Sequence, residues 1–227
     1  RSTPKPSSAA SDVYKRQALL YKDIYQSSNL IVEGLHVYDG HIRDSDINIR
    51  KENCDLQFEK VLKLKEEIES LGIEVKKIVA GGTPTFPIHS KRDNIEVSPG
   101  TSLLWDERYG ELFKDLNFLH AGVLVGSIIS RPREDIICLN FGHKSVASEM
   151  EFPRLKFLNM KNFKQISHSE EHLVCKCDKG DDLNVGDICY AIPMHICPTV
   201  PKYKKVLTVV DNELTGHWLV AARDYNN

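Results

Sequence analysis

The stretch Leu30-Ile-Val-Glu-Gly-Leu-His-Val37 is a short apolar run between polar residues, a pattern that predicts a buried strand. Residues 48–71 follow with apolar side chains at helical spacing, and Gly72 supplies a helix stop. Two further runs, at residues 73–80 and 94–98, predict a second and a third strand. This order of strands and helix predicts βα units of a parallel sheet or a (β/α) barrel. Because three strands cannot close an eight-stranded barrel, we expect only the C-terminal portion of one, in residues 18–117.

The sequence after residue 117 changes to short β-type runs separated by Gly, Asp, Asn and Pro, with no convincing helix between them. These runs lie at residues 119–130, 135–141, 173–177, 187–193, 205–210 and 216–222. They predict an antiparallel, barrel-like β domain over residues 118–227. The fold class expected for the whole chain is therefore α/β plus all-β. Residues 1–17 are rich in Ser, Pro and Ala and do not begin with Met, so we expect a disordered or artefactual leader.

Length and charge exclude several classes of function. The 227 residues suffice for one large domain or two modest ones. A net charge of −2, from 30 basic and 32 acidic residues, gives no electrostatic footprint for nucleic acid or an anionic membrane. No apolar run approaches the roughly 18 residues that span a bilayer. Six cysteines without a visible secretion signal predict reduced thiols and a cytoplasmic location.

His195 and Cys197 are a candidate pair of metal ligands in the stretch Ala191-Ile-Pro-Met-His-Ile-Cys-Pro-Thr199. Side chains two apart on an extended chain point to the same face, so both donors can reach one ion. Imidazole nitrogen and thiolate are good ligands for Zn²⁺, and two protein ligands leave open positions, as in a catalytic site. The alternative is that both residues only line the end of a buried strand.

Two glycine turns, Gly81-Gly82-Thr83 and Pro99-Gly100-Thr101, follow predicted strands. Glycine lets backbone N–H groups approach an anion, and a threonine hydroxyl adds a donor. Barrels of this type often hold phosphate in the loops after the last two strands, so the turns predict a phosphate site, with ordinary turns as the alternative. His41 follows an earlier strand on the same presumed rim and is a candidate general acid or base, or simply a surface histidine.

Several stretches together resemble the D-threonine aldolase and D-serine dehydratase group, which are pyridoxal-phosphate enzymes of the alanine-racemase-like fold type. They are Gly34-Leu-His-Val-Tyr-Asp-Gly-His41, Gly81-Gly-Thr-Pro-Thr-Phe-Pro87, Ser98-Pro-Gly-Thr101, Leu139-Asn-Phe-Gly-His-Lys144, His168-Ser-Glu-Glu-His172, Pro193-Met-His-Ile-Cys-Pro-Thr199 and Ala222-Arg-Asp224. The likeness is strongest to the bacterial D-threonine aldolase branch, and it covers roughly residues 30–225.

The resemblance implies roles for particular residues. His195 and Cys197 would hold a divalent metal, Zn or Mn, and His41 would be the base near the substrate β-hydroxyl. Aldolases of the group often carry Asp at the second ligand position and dehydratases carry Cys, and a thiolate favours Zn²⁺. The residues implied to bind pyridoxal phosphate are Tyr38, Gly81, Gly82, Thr83, Gly100 and Thr101.

The expected function is that of a D-threonine aldolase-like lyase, which cleaves D-3-hydroxy-amino acids to glycine and an aldehyde, as a homodimer. Dehydration of D-serine to pyruvate and ammonia stays open, and so does a non-catalytic β-domain binding module. The group's Schiff-base lysine lies near the N-terminus of the full barrel, and Lys144 is not at that position. We therefore expect a C-terminal fragment that is inactive alone and poorly soluble, because a partial barrel exposes apolar sheet edges.

Overall fold

The computed structural model describes residues 17–178 and 182–224, which form two compact units. The first unit ends at Gly100 and the second begins at Thr101. The predicted domain boundary near residue 117 stays a prediction. Residues 1–16 of the predicted leader lie outside the described residues, whereas Gln17 is the first residue of a helix that the sequence patterns did not indicate.

The first unit contains a three-stranded parallel sheet in the order β1-β2-β3. Its elements are α1 (Gln17–Gln26), β1 (Leu35–Val37), α2 (Ile47–Ser70), β2 (Ile78–Ala80), α3 (Phe86–His89) and β3 (Ile95–Val97). The predicted βα units and parallel sheet are thus confirmed. The strands are shorter than predicted because the apolar runs include residues outside the sheet; Leu30 and Ile31, for example, are exposed.

Helix α2 agrees with the predicted range of residues 48–71 to within one residue at each end. It begins where the Asp46 carboxylate accepts hydrogen bonds from the N–H groups of Asn48 and Ile49, at 2.8 and 3.1 Å. Phe58 and Ile68 of this helix are buried in the core of the first unit, together with side chains of β2. The helix therefore supports the sheet whose strand ends carry the predicted phosphate turn.

The second unit contains a six-stranded antiparallel sheet in the order β6-β9-β4-β5-β8-β7, and a separate β10–β11 hairpin. Its elements are α4 (Glu107–Leu112), β4 (Leu124–Arg133), β5 (Ile136–Leu139), β6 (Leu155–Phe157), β7 (Phe163–His168), β8 (Leu173–Cys177), β9 (Ile188–Pro193), β10 (Lys205–Val210) and β11 (Glu213–Leu219). The antiparallel β structure of this unit was predicted, but strands β6 and β7 were not. No helix in the described part of the chain is long and apolar enough to cross a membrane.

Buried thiols form part of the core of the second unit. Cys175 and Cys177 lie on the same, buried face of β8, and Cys189 is buried on β9. Burial raises the pKa of Cys175 to about 12 and that of Cys189 to about 11. Cys175 and Cys189 are therefore packing residues that stay protonated at neutral pH.

Candidate functional site

The loop after β9 brings the side chains of His195 and Cys197 into hydrogen-bonding contact with each other. Ile196, between them, is buried, and its N–H donates to Asp106 Oδ2 at 3.1 Å. Ile196 therefore points into the protein, whereas Cys197 is exposed. The two candidate donor groups therefore lie together at an accessible position of the second unit.

Polar neighbours of Cys197 favour its thiolate form. The hydrogen bond from His195 lowers the pKa of the Cys197 thiol, and Thr101 adds to this shift, although partial desolvation opposes both. Thr101 Oγ1 lies 3.3 Å from Cys197 Sγ. The hydrogen bond with Cys197 is also the main cause of the raised pKa of His195. The thiolate is the form of cysteine that binds metals, whereas a metal ion would have to displace the imidazole proton that the raised pKa of His195 favours.

Glu149 approaches the other side of the His195 ring. Its Oε1 lies 2.5 Å from Nδ1 of His195. Burial raises the pKa of Glu149, but hydrogen bonds, including the one with His195, outweigh it, so that the pKa lies below its ordinary value. An ionised carboxylate therefore faces Nδ1, and Nε2 is the ring nitrogen left for a ligand.

Asp106 and Thr199 hold the backbone of this loop. The Asp106 carboxylate is buried and also caps α4 by accepting from the N–H of Tyr109 at 3.0 Å. Thr199 Oγ1 donates to the His195 carbonyl at 2.8 Å and accepts from the N–H of Ala147 at 3.2 Å. Asp106 therefore has a structural role, since its carboxylate accepts from two backbone N–H groups, and burial raises its pKa.

The donor set at this loop fits a divalent metal. An imidazole nitrogen and a thiolate at a partly open position match the preferences of Zn²⁺, with room for further ligands. The sequence patterns identified His195 and Cys197 because they are two residues apart. They missed Glu149 and Asp106, which reach the loop from 46 and 90 residues away along the chain and belong to no local motif.

The predicted phosphate turn Gly81-Gly82-Thr83 follows β2 in the first unit. The N–H of Gly81 donates to the Val37 carbonyl at 3.0 Å, and the N–H of Gly82 donates to Asp39 Oδ1 at 3.1 Å. Both glycine N–H groups are therefore engaged within the protein, and an anion would meet other atoms of the turn. Binding of a phosphate by Gly81, Gly82 and Thr83 stays a prediction.

Tyr38 and His41 follow β1, so they lie at the same edge of the parallel sheet as the turn after β2. The exposed ring of Tyr38 lies against Gly82, where an added Cβ would come within 3.1 Å of the ring. His41 is exposed. Gly100 follows β3 at the end of the first unit, and Thr101, in the second unit, is the neighbour of Cys197. The functional roles proposed for these residues stay predictions.

A second group of potential ligands, Asp39, Cys54 and His89, is buried in the first unit. His89 Nε2 lies 2.9 Å from Asp39 Oδ2 and 3.3 Å from Cys54 Sγ. Burial alone would lower the pKa of His89, but its hydrogen bonds with Asp39 and Cys54 raise it to about 9. The Arg92 guanidinium also contacts Cys54 and His89, at 3.8 and 3.3 Å. Because this positive charge opposes a cation, we interpret the group as a structural hydrogen-bond cluster.

The segment that contains the metal-ligand candidates matches a known family. Residues 121–209 match the family described as a putative serine dehydratase domain. Glu149, His195 and Cys197 all lie within that match. A D-threonine aldolase from Arthrobacter sp is 23% identical over 200 residues, which are 85% of this chain and 52% of the aldolase. The chain thus spans about half the length of this curated relative.

Solved structures share the fold. A D-threonine aldolase from Filomicrobium marinum has a TM-score of 0.77 at 21% identity, over 91% of this chain and 57% of its own. A protein from Idiomarina loihiensis described as alanine-racemase-like has a TM-score of 0.69 at 18% identity, over 96% and 61% of the two chains.

A third similar structure is D-threo-3-hydroxyaspartate dehydratase from Delftia sp. HT23, with a TM-score of 0.68 at 14% identity, over 84% and 56% of the two chains. Two alanine variants of a dehydratase of this name match as well. One replaces a histidine, and the other, described as metal-free, replaces a cysteine two positions later. These findings confirm the predicted resemblance: the chain is similar to the D-threonine aldolase and D-serine dehydratase-like group and shares the fold of an alanine-racemase-like protein.

Proposed function

We propose that the chain is part of a lyase that depends on pyridoxal phosphate and a divalent metal and acts on D-3-hydroxy-amino acids, in the manner of D-threonine aldolase. One observation carries the proposal: His195 and Cys197 meet at an accessible position, with an ionised Glu149 behind the imidazole. The variants of the similar dehydratase support it, since they concern a histidine and a cysteine with the same spacing as His195 and Cys197, one of them in a metal-free protein.

The metal is proposed to bind His195 and Cys197. A divalent ion held there would supply Lewis acidity toward a hydroxyl group of the substrate. His41, with its exposed imidazole, is the proposed acceptor of the substrate β-hydroxyl proton. The open positions of a two-ligand site are what a small hydroxylated substrate needs in order to reach the ion.

The cofactor is proposed to bind through Tyr38, Gly81, Gly82, Thr83, Gly100 and Thr101. Pyridoxal phosphate, when bound, supplies an electron sink for negative charge on the substrate Cα. Gly81 has a φ of +81° and Tyr38 packs against Gly82, as in a tight turn. Because the N–H groups of Gly81 and Gly82 are engaged by Val37 and Asp39, the phosphate would be held by other atoms of the turn. A homodimer and a cytoplasmic location complete the proposal.

Dehydration, the second candidate reaction, is favoured by a specific observation. The second proposed ligand is Cys197, and the group's dehydratases carry cysteine at this position. In addition, residues 121–209 match a putative serine dehydratase domain. In this reaction the Cα–H bond would break instead of the Cα–Cβ bond, and the β-hydroxyl would leave with the electrons of the Cβ–O bond. Assays of a protein that includes the upstream coding sequence separate the two: D-threonine gives glycine and acetaldehyde in an aldolase, whereas D-serine gives pyruvate without glycine in a dehydratase.

Metal content tests the proposal against the third candidate, a non-catalytic binding module. After dialysis against zinc, the purified chain should retain about one equivalent of Zn²⁺, and the double variant His195→Ala with Cys197→Ala should lose it. His172→Ala, which replaces an exposed histidine in the β7–β8 turn, is the matched control and should keep the metal. Equal zinc content in the double variant and the wild type would show that the metal site is wrongly assigned.

A further inference from the structure

Glu149 makes a specific contact with one nitrogen of a proposed metal ligand. Its Oε1 lies 2.5 Å from His195 Nδ1, and the two side chains are 47% and 39% exposed, respectively. A carboxylate of this kind only accepts hydrogen bonds, so a neutral His195 must carry its proton on Nδ1. The lone pair of Nε2 can then bind a metal ion once the hydrogen bond between His195 and Cys197 gives way to it.

Two contacts restrain the imidazole ring of His195: the one with Glu149 and the hydrogen bond with Cys197. The Asp106 carboxylate accepts from the N–H of Ile196, and the Thr199 hydroxyl donates to the His195 carbonyl at 2.8 Å. Neither bond restrains rotation of the imidazole about its side-chain torsions. Glu149 is thus the neighbour of Nδ1, where it restrains the ring rotamer and selects the tautomer.

We propose that Glu149 is a positioning residue of the metal centre: it holds His195 with Nδ1 protonated, so that Nε2 and the Cys197 thiolate face one divalent cation. The proposal rests on the proposed metal-binding function of His195 and Cys197. Histidines that bind metals usually donate their other N–H to a carboxylate or carbonyl, and loss of that acceptor typically costs 10–100-fold in metal affinity. The negative charge of Glu149 also offsets part of the charge of a divalent ion.

Zinc affinity, measured by competition with a chromophoric chelator, tests this role in the full chain. Glu149→Ala removes the acceptor and should weaken Zn²⁺ binding by roughly 10–100-fold. Glu149→Gln keeps an amide oxygen that can accept from Nδ1, so its loss should be smaller. Glu151→Gln, two positions along and exposed, is the matched charge control and should bind zinc like the wild type.

Nitrogen-15 NMR of the metal-free chain gives a second measurement that a merely structural role would not change. At a pH where His195 is neutral, the wild type should show the Nδ1–H tautomer, and Glu149→Ala should move the ring toward the Nε2–H tautomer. Wild-type affinity in Glu149→Ala would overturn the proposal, and so would equal losses in Glu149→Ala and Glu151→Gln.

The double variant His195→Ala with Cys197→Ala separates failure of this inference from failure of the proposed function. If it binds zinc as well as the wild type does, the metal site is wrong. If the wild type itself does not bind zinc, the metal function fails, and an Nε2–H tautomer in the wild type would then overturn the role of Glu149 as well.

Discussion

At the scale of single residues, His168 carries a pH dependence of stability. Burial lowers its pKa to about 4, while its Nε2–H donates to the Phe141 carbonyl at 2.7 Å and Nδ1 faces Arg154 at 2.6 Å. In the unfolded chain the pKa of histidine is about 6.5, so the unfolded state binds the proton more tightly. The contribution of His168 to the free energy of unfolding is therefore fully present above about pH 6.5 and is lost as the pH falls toward 4.

Urea unfolding between pH 7.5 and 4.5 measures this effect. We expect the wild type to lose about 1–2 kcal/mol over this range at His168, since partial exposure reduces the full effect of about 1.4 kcal/mol per pKa unit. His168→Gln, which cannot bind the proton, should show a flatter profile than the wild type. If both profiles fall equally, His168 is not the group responsible.

Single residues also show how much of the candidate site could be predicted from the sequence. His195 and Cys197 were recognisable because their two-residue spacing is a local pattern. The structure brings the two side chains together in the loop after β9 rather than on an extended strand, and their role as metal ligands stays a prediction. Glu149 and Asp106 were not recognisable, since they belong to other segments, 46 and 90 residues away along the chain, and meet the loop only in the folded structure. The engagement of the Gly82 N–H by Asp39 was hidden for the same reason.

At the scale of elements, long periodic segments were predicted well and short ones poorly. Helix α2 spans 24 residues, so its apolar spacing repeats often enough to fix both ends. Strand β6 has three residues, and β7 mixes polar residues into its apolar pattern, which is why neither was predicted. Short strands such as β6 form because they pair with a neighbouring strand, here β9, and not because of their local sequence.

The turn between β2 and α3 gives a prediction at this scale, with a control within the chain. Gly81 and Gly72 have nearly the same positive φ, +81° and +77°. An added Cβ at Gly81 would lie 2.7 Å from the buried His89 ring, whereas at Gly72 it would meet nothing within 4 Å. Gly72→Ala should therefore cost roughly 1–2 kcal/mol of unfolding free energy, from backbone strain alone. Gly81→Ala should cost about 1–3 kcal/mol more, through overlap with the hydrogen-bond cluster below the turn.

Chemical denaturation of the two glycine variants measures both values, and their difference isolates the crowding at Gly81. Equal losses would mean that the cluster around His89 yields to an added methyl group. The turn would then be held less rigidly than its contacts with Asp39 and Thr85 indicate.

At the scale of the whole molecule, the two sheets of the second unit differ in how far their apolar side chains are buried. The six-stranded sheet contributes to a buried core, with Ile137 and Leu139 of β5 fully enclosed. The β10–β11 hairpin instead exposes apolar side chains, including Leu207 at 62% and Val209 at 63%. Two-stranded hairpins are marginal by themselves, and exposed apolar patches favour association. The exposed edges expected of a partial barrel concern the first unit and stay a prediction, whereas the apolar surface of the hairpin was not predicted.

Replacing Leu207 and Val209 by Thr together tests whether the hairpin drives self-association. The two residues are two apart on β10 and share one face, and Thr keeps the β-branched shape that strands prefer. Static light scattering over a concentration series should show less association in the double variant than in the wild type. The free energy of unfolding should change by less than about 0.5 kcal/mol, because exposed side chains are replaced. Ile137→Thr, a buried control on β5, should lower that free energy clearly and increase aggregation. Unchanged light scattering in the Leu207/Val209 double variant would place the associating surface elsewhere on the molecule.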